Sequence, residues 1–198
     1  MEFTLLGVGA MNSPRYRPAG LLLRTSGRRI MFDGGPGAEP DSAIDAWLVT
    51  DNRAELIGEI RRAARTFDTE PVIDGYRGRT LRVDPYPVVH TSHPTVGYLI
   101  SCCGRRVVWA PEFWQFPVWA AGADLMFADA AGWIRPIRFA HNTGGHAPVC
   151  DTARVAREHD VRRLVFAHIG RPSIRAIDSG AVPVFGEWGI EGRTYHVR

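Results

Sequence analysis

The stretch Trp47-Leu-Val-Thr-Asp51-Asn-Arg53-Ala-Glu55-Leu56-Ile-Gly58 is the most informative part of this chain. It begins with the apolar residues of a buried strand and passes into a short polar loop. After the loop, apolar side chains recur at helical spacing, which predicts a helix over residues 52–65. A strand that leads directly into an amphipathic helix is typical of an α/β protein.

The composition is that of an ordinary globular protein. Of the 198 residues, 45% are hydrophobic and 23% are charged, which suits a single domain over residues 1–198 with a sizeable core. No apolar run approaches the roughly 18 residues of a membrane span, and the first residues are typical of a strand rather than a signal peptide. The three cysteines, two of them adjacent, form no disulfide framework, so we expect a reducing, cytoplasmic environment.

Arginine alone carries the positive charge. The chain has 24 basic residues, none of them lysine, and a net charge of +3. The arginines are scattered and no long basic tract occurs, so the sequence favours a small-molecule ligand over nucleic acid. Nothing in the sequence indicates an oligomeric state.

Strands and helices alternate in two similar halves of the chain. Turn signals at Ser26-Gly27 and Cys103-Gly104 predict two β-hairpins. A second helix is predicted over residues 150–158, whereas 173–186 is predicted to be a surface loop because glycine and proline recur in it. The pattern favours an α/β fold built as a four-layer αβ/βα sandwich, although a doubly wound sheet would show the same alternation.

Several motifs follow one another in a set order. They are Leu5-Leu-Gly7-Val-Gly9, Ile30-Met-Phe-Asp33-Gly-Gly, His90-Thr-Ser-His93-Pro-Thr-Val-Gly97-Tyr98, Val107-Val-Trp-Ala-Pro-Glu112, Gly145-His146-Ala-Pro and Leu164-Val-Phe-Ala-His168-Ile-Gly. Together they resemble the metallo-β-lactamase superfamily, and within it the branch of RNase Z and the cyclic phosphodiesterases. The resemblance covers essentially the whole chain. It implies an αβ/βα sandwich and a metal-dependent hydrolase.

The chain departs from that superfamily at its best-known metal motif. Where the superfamily carries His-x-His-x-Asp-His, the ligand positions here are Asp51, Arg53, Glu55 and Leu56. With Glu112, three carboxylates and one guanidinium would leave a formal charge of about −2, which one divalent cation would neutralise. A second metal next to Arg53 is electrostatically disfavoured. We therefore expect one metal ion, with zinc preferred over manganese or iron, or none.

The resemblance also implies roles for individual residues. The metal ligands would be His90 or His93, Glu112 and His168, with Glu55 as a further candidate. His146 would act as general acid or oxyanion donor, and Asp51 and Arg53 are further catalytic candidates. Two other interpretations remain open. Asp51 and Glu55 could simply cap the predicted helix, and the Arg53 guanidinium could lie on a solvated helix face or occupy the metal cavity itself.

Aromatic residues are concentrated around Glu112, at Trp109, Phe113, Trp114, Phe116, Trp119 and Trp133. Core packing would explain them, but Trp114 and Trp119, with Tyr98, could instead form a stacking wall for a substrate. The leading hypothesis is a divergent metal-dependent hydrolase that acts on a phosphodiester-like small molecule. The alternative is a catalytically inactive, metal-free member that binds a ligand or a protein. A true RNase Z is disfavoured by the short chain and the lost motif.

Overall fold

Two β-sheets that face each other form the centre of the protein. The computed structural model describes the backbone of all 198 residues and every side chain except that of Asn142. The strands are β1 (Glu2–Gly7), β2 (Gly20–Thr25), β3 (Arg28–Asp33), β4 (Ala46–Leu48), β5 (Pro71–Val72), β6 (Tyr76–Arg77), β7 (Leu81–Val88), β8 (Thr95–Cys102), β9 (Arg105–Ala110), β10 (Leu125–Ala130), β11 (Ile137–Arg138), β12 (Gly145–His146), β13 (Leu164–Ile169), β14 (Glu187–Trp188) and β15 (Thr194–His196). The helices are α1 (Ile57–Arg65), α2 (Val149–Glu158) and α3 (Arg171–Asp178), with single 3₁₀ turns at Val118–Ala120 and Ala140–Asn142.

Each half of the chain contributes most of one sheet. The first sheet has the order β15-β1-β2-β3-β4-β5 and the second β14-β13-β10-β9-β8-β7-β6, while β11 and β12 form a separate two-stranded ladder. Within the second sheet, β9, β10 and β13 are parallel neighbours. Their carboxyl ends therefore meet at one edge, which is where ligand sites form in such sheets.

Alternation along the strands creates the layers. In β2, Leu21 and Leu23 enter the core shared by the two sheets, whereas Leu22 faces the opposite side. Leu22 packs there in a second cluster with Ile60 and Ala64 of α1. Since side chains of a strand point alternately to its two faces, this arrangement places α1 outside the first sheet. The helix α2 packs against β10 and β13, and its buried residues belong to the same apolar cluster as the core between the sheets. These helices and sheets together form the predicted α/β sandwich.

Both predicted hairpins are confirmed. Ser26 and Gly27 have φ values of 49° and 74°, and Cys103 and Gly104 have φ values of 52° and 76°. Two consecutive positive φ values are the signature of the tight turn whose twist matches that of paired strands. Of the described helices, none is both long and apolar enough for a transmembrane segment.

The first helix is shorter than predicted. It begins at Ile57, with Leu56 rather than Asp51 at the position that precedes it. Asp51 accepts a hydrogen bond from the backbone N–H of Arg53 at 2.7 Å, and such local bonds hold a turn in place of a helix. Asp51 is therefore not the helix cap, and Glu55 precedes the first helical turn.

The predicted loop over residues 173–186 is wrong in its first half. The helix α3 occupies Arg171–Asp178 and buries Ser173, Ile174 and Ala176. It starts with a proline in its first turn, a position where proline favours a helix. The glycines and the proline on which the loop prediction rests, Gly180, Pro183 and Gly186, all follow the end of this helix.

Candidate active site

The candidate site lies at the carboxyl-end edge of the second sheet. Glu112 follows β9, Asp129 lies near the end of β10, and His168 lies near the end of β13. Because these three strands are parallel neighbours, their last residues converge. His90 follows β7, which runs antiparallel to β8 as β8 does to β9, so the loop after β7 reaches the same edge.

The backbone at His168 departs from regular strand geometry. The residue has a φ of 59°, and the pairing of β10 with β13 shifts at this point, where Ala130 opposes Ile169 rather than His168. A bulge of this kind changes the direction of one side chain without breaking the strand. Positive φ is costly for a non-glycine residue and is concentrated at functional sites. The bulge places the His168 ring against Glu112.

Glu112 lies between two histidines. His90 Nε2 is 2.9 Å from Oε2 of Glu112 and His168 Nδ1 is 2.9 Å from Oε1. Burial opposes a charge on His90, but the Glu112 carboxylate outweighs it and raises the pKa of His90 to about 9. Burial likewise opposes the charge of Glu112, yet His168 and His90 hold its pKa well below the usual range. The group is therefore a charged hydrogen-bonded cluster at neutral pH.

His146 is paired with a fully buried carboxylate. Its Nδ1 lies 2.8 Å from Oδ2 of Asp129, and the Asp129 side chain has no exposed surface. Backbone N–H groups of Phe113 and Ala131 also donate to this carboxylate, at 3.0 and 2.9 Å. These donors hold Asp129 as the oriented acceptor for His146. A carboxylate on one imidazole nitrogen fixes the tautomer and leaves Nε2 available for proton transfer.

Two glycines bring His146 next to His90. The Gly144 and Gly145 backbone has φ values of 143° and 153°, and a Cβ at Gly144 would lie 1.9 Å from the carbonyl oxygen of His90. His90 Nδ1 is in turn 2.9 Å from the carbonyl oxygen of Gly145. Only glycine permits this approach. As a result the ring centroids of His90 and His146 are 4.7 Å apart, and those of His146 and His168 5.2 Å apart.

His93 belongs to a different pair. Its Nε2 lies 2.8 and 2.9 Å from the two carboxylate oxygens of Asp51. Asp51 is buried and links the loop after β4 to the loop before β8. Of the two histidines left open by the sequence, the structure therefore brings His90, and not His93, to Glu112.

Arg53 and Glu55 do not enter the histidine cluster. Both residues are exposed and line the rim of the cleft. Among the described residues, the Arg53 guanidinium forms no ion pair or hydrogen bond. The interpretation in which it fills the metal cavity is therefore wrong, and Glu55 lies at the rim rather than beside the clustered histidines.

The four histidines open onto one cleft of about 700 Å³. Its polar wall includes His90, His146, His168 and Glu112, and its rim carries Arg53 and Arg171. The apolar part of the lining includes Ile137, Phe139 and Pro172. A cleft of this size accommodates a small organic molecule.

The predicted aromatic wall is not part of this cleft. Tyr98 is fully buried, its hydroxyl donates to the carbonyl oxygen of Val49 at 2.8 Å, and its ring packs edge-on against Phe32. Trp119 stacks on Tyr86 with ring centroids 5.2 Å apart, and Trp114 lies beside Arg138. Tyr98 is thus a core residue, and neither tryptophan lines the cleft.

The side chains of the histidine cluster are of the types that bind a divalent metal ion. Two imidazoles and a carboxylate are the ligands of many catalytic zinc sites, and His90, His168 and Glu112 supply them. Among the described residues, however, no group of three or more His, Cys, Asp or Glu side chains is arranged to hold a metal ion. The donors face one another, as His–Glu pairs, instead of a common point. Asp51 is engaged by His93, so a second ion has no free carboxylate within the cluster.

Sequence reasoning missed three residues of this site. Asp129 had a visible signal, since it is the one charged residue in the apolar strand Leu125–Ala130, where an unpaired carboxylate would be costly. Phe139 and Arg171 carried no such signal. They reach the cleft because of the β11–β12 ladder and the start of α3, neither of which was predicted.

Three of the solved structures that match the chain agree with it over nearly its whole length. The metallo-β-lactamase fold protein YhfI from Bacillus subtilis is 14% identical, with a TM-score of 0.75 and 98% of each chain covered. Zinc-bound PqqB from Methylobacterium extorquens is 14% identical, with a TM-score of 0.74 and 100% of each chain covered. The short form of human tRNase Z is 14% identical, with a TM-score of 0.71 and 100% of each chain covered.

By sequence alone the chain has no comparable match. No protein-family model matches it, and no curated protein matches it significantly. Identities this low establish a fold and not an activity. The structural agreement confirms the predicted fold, and the chain has the metallo-β-lactamase fold from end to end.

Proposed function

We propose that the protein is a divergent hydrolase that cleaves a phosphodiester-like small molecule in the histidine-lined cleft. The observation that carries this proposal is the His146–Asp129 pair, an imidazole at the cleft surface whose far nitrogen is held by a fully buried carboxylate. Such a pair is suited to proton transfer because the carboxylate stabilises the imidazolium that forms.

The proposed step is a hydrolysis. Water adds to phosphorus, the bond from phosphorus to the leaving oxygen breaks, and His146 Nε2 gives its proton to that oxygen. Asp129 keeps the His146 ring oriented throughout. The proton released by the attacking water is taken up at His146 Nε2, so His146 ends the step protonated as it began and no redox partner is needed.

The charge at the cleft mouth supports an anionic substrate. Arg53 and Arg171 both line the cleft, both are exposed, and within the described structure neither guanidinium is engaged by a carboxylate. A free guanidinium offers planar, paired donors that match phosphate oxygens. The Asp51 and Glu112 carboxylates point to histidines and not to these guanidinium groups.

A single divalent ion belongs to this proposal. His90, Glu112 and His168 would hold it, with zinc preferred over manganese or iron. When bound, the ion would act as a Lewis acid and supply the hydrolytic nucleophile at neutral pH. PqqB, which has the same fold and was solved with zinc bound, supports this assignment. We also propose a reducing, cytoplasmic location, because the three cysteines are free.

Metal content and hydrolysis test the proposal together. Tag-free protein would be analysed by elemental mass spectrometry and assayed with bis(4-nitrophenyl) phosphate. We expect near-stoichiometric metal and measurable hydrolysis, and we expect both to disappear in His168→Ala. The matched control is His196→Ala, which removes an exposed histidine outside the cleft and should change neither. Protein without metal, even after incubation with zinc or manganese, and without hydrolysis would refute the proposal.

A metal-free binding protein is the second candidate. It is favoured by the pairing of the potential ligands with one another, His90 and His168 with Glu112 and His93 with Asp51. In that case the cleft would bind an anionic ligand without turnover. Stabilisation of the protein by a phosphonate, together with absent hydrolysis and absent metal, would support this candidate.

A further inference from the structure

We infer that Ile137 and Phe139 form an apolar subsite for an aromatic leaving group, placed next to the proton donor His146. The inference deepens the proposed function and rests on it. It names the class of substrate as an aryl ester of phosphate or phosphonate rather than an ester of a polar alcohol.

The subsite and the proton donor belong to one small structural unit. Ile137 pairs directly with His146 in the β11–β12 ladder, and Arg138 pairs with Gly145. The Phe139 N–H donates to the carbonyl oxygen of Gly144 at 2.9 Å. The position of Phe139 relative to His146 is therefore fixed by backbone hydrogen bonds and not by a flexible loop.

Phe139 contacts both histidines of the inner wall. Its ring lies edge-on to His90 and to His146, with centroid separations of 5.3 and 5.4 Å. The ring is only partly buried and the rest of it faces the cleft. It is the one aromatic carbocycle in the cleft lining of the described structure.

The proposed proton transfer from His146 places the leaving group beside Ile137 and Phe139. A proton donor must lie within about 3 Å of the oxygen that it protonates. The group attached to that oxygen then occupies the space beside His146, where the neighbouring side chains are Ile137 and Phe139. These two side chains offer a polar alcohol no hydrogen bond, whereas an aromatic ring gains apolar burial and ring–ring contact.

Binding of phenylphosphonate and methylphosphonate tests the inference without relying on turnover. The two ligands would be compared by calorimetry at a pH where both are dianions, so that they differ chiefly in the ring. We expect the wild type to bind phenylphosphonate about tenfold more tightly, which is the range of one aromatic contact. Phe139→Ala should abolish the preference, and Phe139→Leu, which keeps apolar volume, should retain part of it.

Trp119→Leu is the matched control. It removes an aromatic ring outside the cleft and should leave the tenfold preference unchanged. Equal binding of the two phosphonates by the wild type, no binding of either, or an unchanged preference in Phe139→Ala would each overturn the inference. A thermal unfolding curve for each variant shows that it is folded.

The outcome is separable from that of the proposed function. A ring preference that depends on Phe139, in a protein that does not hydrolyse bis(4-nitrophenyl) phosphate, would support the aromatic subsite and refute the hydrolase. Hydrolysis of bis(4-nitrophenyl) phosphate by a protein that binds the two phosphonates equally well would support the hydrolase and refute the aromatic subsite.

Discussion

Replacing Asp33 with asparagine should remove a large part of the pH dependence of stability. Asp33 ends β3, and its carboxylate accepts the Thr50 N–H at 2.7 Å, the Thr50 hydroxyl at 3.0 Å and the Trp109 indole N–H at 2.7 Å. Burial raises the pKa of Asp33 to about 7, against the opposing effect of these donors. Asparagine is the matched substitution because it keeps the size of the side chain and tolerates the positive φ of 48° at this position.

The magnitude follows from the pKa. An acid with a raised pKa in the folded state binds its proton more tightly there than in the unfolded chain. Its contribution to stability is complete below the unfolded value of 3.8 and is lost as the pH rises through about 7. The difference between a pKa of 3.8 in the unfolded chain and one of about 7 in the folded protein corresponds to at most about 4 kcal/mol. The free energy of unfolding should therefore fall by up to this amount between about pH 4 and pH 8 through Asp33 alone.

The assay is urea unfolding of the wild type and Asp33→Asn at intervals between pH 4.5 and 8. At pH 4.5 the free energy of unfolding of the variant should be lower by about 1–3 kcal/mol, because the amide N–H₂ of asparagine faces another hydrogen-bond donor and both lack an acceptor. The difference should shrink or reverse by pH 8. Asp178→Asn, which changes an exposed carboxylate, should shift stability by a constant amount. A constant difference in unfolding free energy between the wild type and Asp33→Asn across this pH range would show that the pKa of Asp33 is not raised by folding.

Three further predictions concern particular contacts. Asp129→Asn should lower kcat for bis(4-nitrophenyl) phosphate about 10²- to 10⁴-fold with little change in KM, because His146 loses the carboxylate that stabilises its charged form; an unchanged kcat in steady-state kinetics would exclude His146 as the proton donor. Asp51→Ala should cost about 1–3 kcal/mol of unfolding free energy, and adding His93→Ala should cost little more, since the two side chains interact chiefly with each other; full additivity in urea unfolding would contradict the pairing. Tyr98→Phe should cost about 1–3 kcal/mol by leaving the Val49 carbonyl without its partner, yet leave KM unchanged; a raised KM would return Tyr98 to the substrate site.

Much of the architecture could be predicted because it depends on local patterns. Short apolar runs in β2 and β3, and turn residues such as Ser26-Gly27 between them, specify strands and hairpins directly. The start of α1 could not be placed, because the Asp51 carboxylate bonds to the backbone N–H of Arg53 and stabilises a turn where apolar spacing predicted helix. The helix α3 was missed because the loop signals at Gly180, Pro183 and Gly186 follow it directly, and the predicted loop extended from them back over residues 173–178.

The site was predicted only in part. His146, His168, Glu112 and one of the two histidines near residue 90 follow from motif order, but their partners do not. His93 and His90 are three residues apart, yet one pairs with Asp51 and the other with Glu112. An aromatic residue such as Trp119 gives the same composition signal whether it lines a cleft or stacks on a strand residue such as Tyr86.

The sequence alone indicates most of the strands, the first two helices, the metallo-β-lactamase resemblance, the loss of the His-x-His-x-Asp-His motif and the residue types available for chemistry. These are properties of neighbouring positions along the chain. The folded structure alone shows that Glu112 is shared by His90 and His168 and that Asp129 supports His146. It also shows that Arg53 lies at the rim of the cleft and that Phe139 lines the cleft whereas the predicted tryptophans do not. Each of these depends on the distance between residues far apart in sequence, which is fixed by how parallel strands end together and by how two glycines let one loop approach another.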